Sequence, residues 1–248
     1  MIKKILVIAS TAFFMSAASG HAAPPSAADI VLRADEIRSP QIDYTVDAIV
    51  TSVKPEGEKI VSKYEVLVKG RENAVIKTLS PPIDRGRTLL TIGRDMWVYL
   101  PDVSKPVRIS LQERLVGEVA NGDIARTNFS GDYRARLVRT EKLDDGKYYV
   151  LDLSAKSEDV TYNRVLYWVR TDDFRPYKAE FYAVSGKLLK LCFYEDYKEM
   201  GGGVRPARLV LKDPLVKGRV STIEYGNMRV KELPAKFFTK DYMKKFKY

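Results

Sequence analysis

The chain has 248 residues, 45% of them apolar and 30% charged, and its 42 lysines and arginines against 32 aspartates and glutamates give a net charge of +10. That length is ample for a large core, and the even spread of branched and aromatic residues excludes a disordered or fibrous protein. One histidine, His21, and one cysteine, Cys192, leave little material for metal or nucleophile chemistry.

The first segment has Lys3 and Lys4, an uncharged run from Ile5 to Met15, and small residues up to Ala22-Ala23-Pro24. A basic start, a short apolar stretch and a small-residue junction predict a secretory signal peptide over residues 1–22, with cleavage after Ala22. The competing reading, a membrane anchor, requires a longer apolar run. No cysteine stands at the junction for lipid attachment, so an exported, soluble periplasmic protein over 23–248 is expected. Cleavage there removes two lysines and no acid, lowering the net charge to +8, and takes His21 with it. The mature chain then has no histidine, which removes the commonest general base and metal ligand together.

Ala27 to Arg38 reads as a short amphipathic helix capped by Ser26, with Ile30, Val31, Ala34 and Ile37 on one side and Pro40 ending it. Strand-like runs follow in two groups. The first covers 43–54, 58–69, 73–79, 87–92, 95–100 and 106–109. The second covers 134–141, 147–155, 161–170, 177–184, 187–197, 204–211 and 220–230. Gly, Pro, Asp and Asn mark most of the turns between them. Tyr64, Val66 and Val68 alternate with Lys63, Glu65 and Lys69, and Tyr177, Ala179 and Phe181 alternate with Lys178 and Glu180. These strands should bury one face only. The series predicts a mainly β (α+β) fold built on one curved, partly closed antiparallel sheet.

Between the groups, Leu111, Leu115, Val119 and Ile124 recur at roughly helical spacing over residues 110–129, broken at Gly117 and Asn121-Gly122. The spacing predicts one broken helix or two short ones crossing the sheet, as a lid or as ordinary packing. Residues 234–248 are aromatic and basic. A terminal helix docked on the sheet and a membrane-surface anchor are the two readings.

Motifs for catalysis are missing: there is no glycine-rich phosphate loop, HExxH, GxSxG or CxxC. Asp144-Asp145 and Asp172-Asp173 sit in turns, where turn chemistry accounts for them. Cys192, inside an apolar run, reads as a core residue, and no metal site is expected. Arginines alternating along Arg134-Ala-Arg-Leu-Val-Arg139 look like a solvated strand face, so nucleic acid is not expected as a partner and anionic lipid headgroups are the better acidic match.

The strand ending Trp97-Val-Tyr-Leu-Pro101, the turn Ile92-Gly-Arg-Asp95 before it, and the short basic strand Val107-Arg-Ile109 and insert after it resemble the outer-membrane lipoprotein-sorting proteins of Gram-negative bacteria, the LolA-like group. The order of elements and a late Leu233-Pro-x-x-Phe-Phe stretch agree. Val116 to Ala125 departs from the acidic and aromatic segment that many relatives carry there.

The resemblance implies an incomplete antiparallel barrel of about 11–13 strands around an apolar cavity, with a helical lid or plug. It implies a periplasmic carrier, not an enzyme, that holds lipoprotein acyl chains or another lipid without cofactor or covalent step. An inner-membrane exporter, an outer-membrane acceptor and transient contact with the membrane surface are the partners it suggests. Tyr64, Val66, Trp97, Tyr99, Leu166, Trp168, Phe181, Leu191 and Phe193 are the candidate cavity lining. Leu111, Leu115 and Ile124 would face them from the lid, with Arg108 holding it to a helix carbonyl. Two other functions stand beside this one. A sensor or adaptor would bind lipid or misfolded envelope protein and signal to a membrane partner, and a hydrolase would rely on carboxylates alone.

Overall fold

The computed structural model describes residues 25–125 and 128–246; the expected signal peptide and His21 lie outside them. Helix α1 (Ala27–Arg38) opens the described chain. The Ser26 hydroxyl accepts the amide of Asp29 as its cap, and Ile30, Val31 and Ala34 are buried. Strands β1 (Tyr44–Val53), β2 (Lys59–Lys69), β3 (Asn73–Ser80), β4 (Thr88–Ile92), β5 (Asp95–Tyr99) and β6 (Val107–Ile109) then run as a meander. After the covering segment come β9 (Tyr133–Leu143), β10 (Gly146–Ala155), β11 (Arg164–Arg170), β12 (Pro176–Tyr182), β13 (Leu188–Met200), β14 (Gly203–Lys212) and β15 (Val220–Val230).

These thirteen strands form one antiparallel sheet in the order β6-β5-β4-β3-β2-β1-β15-β14-β13-β12-β11-β10-β9. First and last strands pair, Val50 opposite Ile223 for example, so β1 and β15 join the two strand groups at the middle of the sheet. The gap is between β6 and β9, the two edges, and the sheet is not closed.

The insert differs from the helical expectation. Residues 114–120 form a hairpin of β7 (Arg114–Val116) and β8 (Val119–Ala120), followed by the short helices α2 (Asn121–Ala125) and α3 (Phe129–Asp132). Leu111, Leu115 and Val119 have helical spacing, but Gly117 takes a positive φ of 54° and turns the chain back. The two glycines that interrupt the run serve close packing. A Cβ on Gly117 would collide with the hydroxyls of Ser52 and Ser221 on β1 and β15, and one on Gly122 with Thr161. The Ser221 hydroxyl accepts the Glu118 amide at 2.9 Å, tying the hairpin to the sheet.

Alternation gives the sheet two apolar faces. On the inner face, Tyr64, Val66, Ile76, Leu89, Met96, Val165, Tyr167, Val169, Cys192 and Tyr194 join α1 and the insert in the main core. The outer face carries two smaller clusters. Leu67, Val75 and Leu90 pack with Leu233, Phe238 and Met243 of the C-terminal segment, a 3-10 turn (Ala235–Phe238) followed by α4 (Lys240–Met243). The second, Tyr148, Val150 and Trp168, is flanked by Leu166 and Tyr177. Of the two readings of the C-terminus, the docked segment is the one observed.

Candidate functional site

A cavity of about 80 Å³, counted as space open to the centre of a water molecule, lies between the inner face and its cover. One such molecule needs roughly 10–15 Å³ on that measure, so the cavity has room for several. Its walls come from β1, β2, β9, β12, β13, β14 and β15 with Thr161 and Tyr162, and its cover from the end of α1 with α2 and α3.

Apolar side chains make most of the wall: Val46, Val66, Val68, Phe181, Leu209 and Leu211 from the strands, Ile124 and Phe129 from the cover. Phe129 is held edge-on by Tyr133 and Tyr167, with ring centroids at 5.4 and 5.3 Å. The Arg38 guanidinium lies 4.1 Å over the Phe129 ring and donates to the Tyr194 hydroxyl at 3.0 Å. Arg205 extends to the end of α1 and donates to the carbonyls of Glu36 and Ile37 at 2.7 and 3.0 Å, where the helix terminus is negative. Neither arginine has a carboxylate within ion-pair distance among the described residues. Burial pushes the pKa of the Tyr44 hydroxyl up, against the Ser39 hydrogen bond and the smaller effects of the Arg205 and Arg38 charges.

Among the polar links of the cover, one buried pair ties it to the sheet and one buried contact joins two of its own helices. The Lys190 ammonium, on the inner face of β13, pairs with Asp123 of α2 at 2.5 Å and donates to the Glu118 carbonyl at 2.8 Å. Both side chains are buried, and Tyr162 also donates to Asp123, at 2.8 Å. On the other side, Asp35 of α1 accepts the Ser130 amide of α3 at 2.7 Å. Burial pushes the Asp35 pKa up to about 6, against the smaller opposing effect of the Arg38 charge. Its second carboxylate oxygen has no hydrogen-bond partner.

The expected lining residues divide between the two faces. Val66 and Phe181 border the cavity; Tyr64 is buried beside it in the inner core. Trp97 and Tyr99 are on the outer face against the C-terminal segment, and Leu166 and Trp168 on the outer face of β11. Phe193 also points outward, 6.5 Å from the Tyr177 ring, and Leu191 shares its side of β13, opposite to buried Cys192. A one-residue change of parity moves a side chain to the other face, and both faces here are apolar. In the cover, Ile124 borders the cavity, Leu111 is buried in the inner core and Leu115 packs on it. Arg108 does not reach a helix carbonyl: its exposed side chain pairs with Asp95 on the neighbouring strand.

Arg38, Arg205, Lys190 and Asp123 escaped the sequence reading. Lys190 alternates with Cys192 and Tyr194, the parity opposite to the Leu191 and Phe193 expected in the lining, and it is this side that is buried.

Chemically the site offers little reactivity. Burial, aided by the Asp123 charge, pushes the Cys192 thiol up to about 12, so it stays protonated. The cavity carboxylates Asp123 and Asp132 are each engaged by a cation, Lys190 and Arg94. Among the described residues no group of three or more His, Cys, Asp or Glu side chains converges as metal ligands do. No described helix is long and apolar enough to cross a membrane.

The fold has clear counterparts. A LolA superfamily protein from Nitrosomonas europaea is 47% identical over 88% of this chain and 99% of its own, with a TM-score of 0.84. A DUF1329 family protein from Desulfovibrio piger (23% identity, 88% and 97% covered, TM-score 0.77) shares the fold. So does an outer membrane lipoprotein-sorting protein domain from Vibrio parahaemolyticus (20%, 88% and 98%, TM-score 0.75). A family model described as an uncharacterized protein matches residues 70–245. No curated protein matches the sequence. On the extent and identity of the first of these likenesses, the chain belongs to the LolA superfamily.

Proposed function

We propose that the protein is a periplasmic carrier that holds one acyl chain of a lipoprotein or other lipid in the slot beneath α1, α2 and α3, and performs no covalent chemistry. The observation that carries this reading is a largely apolar cavity walled by seven strands of the sheet and covered by the end of α1 with α2 and α3. An acyl chain gains about 0.8 kcal/mol for each methylene taken from water, so such a wall suffices as a binding device. Arg38 and Arg205 border the cavity and are the cations available to meet the oxygen-bearing end of the ligand. Parting of Lys190 from Asp123 would free α2 from β13, and parting of Asp35 from Ser130 would let α1 and α3 separate, letting cargo pass from an inner-membrane exporter to an outer-membrane acceptor. Family membership supports the carrier role and the absence of catalysis.

The test is native mass spectrometry of protein purified from the periplasm without detergent, with analysis of its organic extract. Protein carrying the added mass of an acyl-chain lipid is expected. Protein of its own mass alone, which also fails to take up a fluorescent fatty acid, would overturn the proposal.

A further inference from the structure

The two rims of the sheet differ in what their turns expose. Register places the β1–β2, β3–β4, β5–β6, β10–β11, β12–β13 and β14–β15 turns on one rim: Val53 pairs with both Lys59 and Val220, Thr88 with Tyr99, Leu191 with Lys212, and Arg164 with both Ser154 and Tyr182; the β10–β11 turn adds the acids Glu158 and Asp159. The three most exposed large apolar side chains of the described residues all stand on this rim, each on a different turn: Ile83 at 91%, Val184 at 84% and Leu215 at 69%. Val107, at the end of the β5–β6 turn, is the next most exposed.

Each of these four has an exposed cation within three residues, Arg85, Lys187, Lys217 and Lys105 respectively. None of those cations has an ion-pair partner among the described residues. The opposite rim has Gly70 to Glu72, Gly93-Arg94, Asp144-Asp145 and Gly201-Gly202 in its turns. Its one large apolar turn residue, Phe174, is covered, with Arg33 over its ring at 4.6 Å and Tyr149 stacked beside it.

We propose that the Ile83 rim is a membrane-docking edge, which dips Ile83, Val184 and Leu215 into the surface of an anionic bilayer while the neighbouring cations meet the headgroups. Separate apolar tips interspersed with unpaired cations do not make the contiguous, shape-complementary core of a protein interface. A fluid bilayer accepts them one by one, and its anionic headgroups complement the cations. The inference goes beyond the cavity's cargo and does not depend on it, since a protein with an empty slot would still dock.

The experiment is co-sedimentation of the full chain with vesicles of phosphatidylethanolamine and phosphatidylglycerol in equal parts. The wild type is expected to pellet with them, less so with phosphatidylcholine alone. The triple variant Ile83→Asp, Val184→Asp, Leu215→Asp should bind about tenfold more weakly or worse, because apolar insertion is replaced by buried charge. All three side chains are exposed, so folding is spared, and an unchanged melting temperature verifies this. Val230→Asp, an exposed apolar position at the other end of β15, should bind as the wild type does. Equal binding by the triple variant, or no vesicle binding by the wild type, would overturn the proposal, the latter pointing to a protein acceptor instead.

Discussion

The inner and outer faces of the same sheet are both apolar, yet they are finished differently. The outer face is filled: Leu67, Val75 and Leu90 lie under Leu233, Phe238 and Met243 of the C-terminal segment, and Lys240 covers Trp97 at 4.6 Å. The inner face is bridged instead, by a helix and an insert that leave a slot and that depend on buried charges, Lys190 with Asp123 and Asp35 with the Ser130 amide. Plain packing seals one side permanently, while polar ties on the other can be undone without breaking the sheet. Buried ion pairs add little net stability but are costly to break on one side only.

The largest effect should come from cutting the better-buried tie. Lys190→Met leaves the Asp123 charge buried without its cation and should destabilise the fold by about 4 kcal/mol, read by chemical denaturation. The double variant Lys190→Met, Asp123→Leu should recover part of that loss. Full additivity of the two single changes would mean that the pair does not act as a tie.

Asp35 comes next and acts through pH. Its folded pKa of about 6 lies above the ordinary 3.8, so the folded state holds the proton more tightly than the unfolded one. The resulting stabilisation is fully present below about pH 4 and is lost as pH rises through 6, a change of about 3 kcal/mol. Asp35→Asn should remove this pH dependence between 4 and 7 and leave the Ser130 amide its acceptor. An unchanged pH profile in that variant would locate the effect elsewhere.

On the outer face, Lys240→Ala removes an exposed cation from the Trp97 ring and should cost only about 0.5 kcal/mol. It should leave cargo binding untouched. A large loss of binding would break the distinction between the two faces.

All thirteen strands of the large sheet were legible, because turn residues separate them and each carries enough branched and aromatic residues. So was α1, from Ser26 to Arg38. Facing was not legible where both sides of a strand are apolar: Met96-Trp97-Val98-Tyr99 offers no polar partner to fix its parity, and the larger aromatics went to the outer face. The β7–β8 hairpin was hidden because Leu111, Leu115 and Val119 suit a helix as well as a hairpin. Arg38 and Arg205 were out of reach since their role arises from the meeting of α1's end with β14, distant in sequence. The helix end that Arg205 caps is local, but its partner is set only by the order of strands in the sheet.

Uptake of a fluorescent fatty acid by the wild type, by Val66→Trp on the inner wall and by Tyr99→Ala on the outer face tests the carrier reading most directly. Tryptophan at position 66 fills the slot at a stability cost of about 1–3 kcal/mol, so a melting curve must accompany the assay. Uptake by the wild type and by Tyr99→Ala, with at least an approximately tenfold loss in a folded Val66→Trp, is the predicted result. Equal uptake by all three, or none by the wild type, would contradict a carrier whose cargo lies beneath α1, α2 and α3.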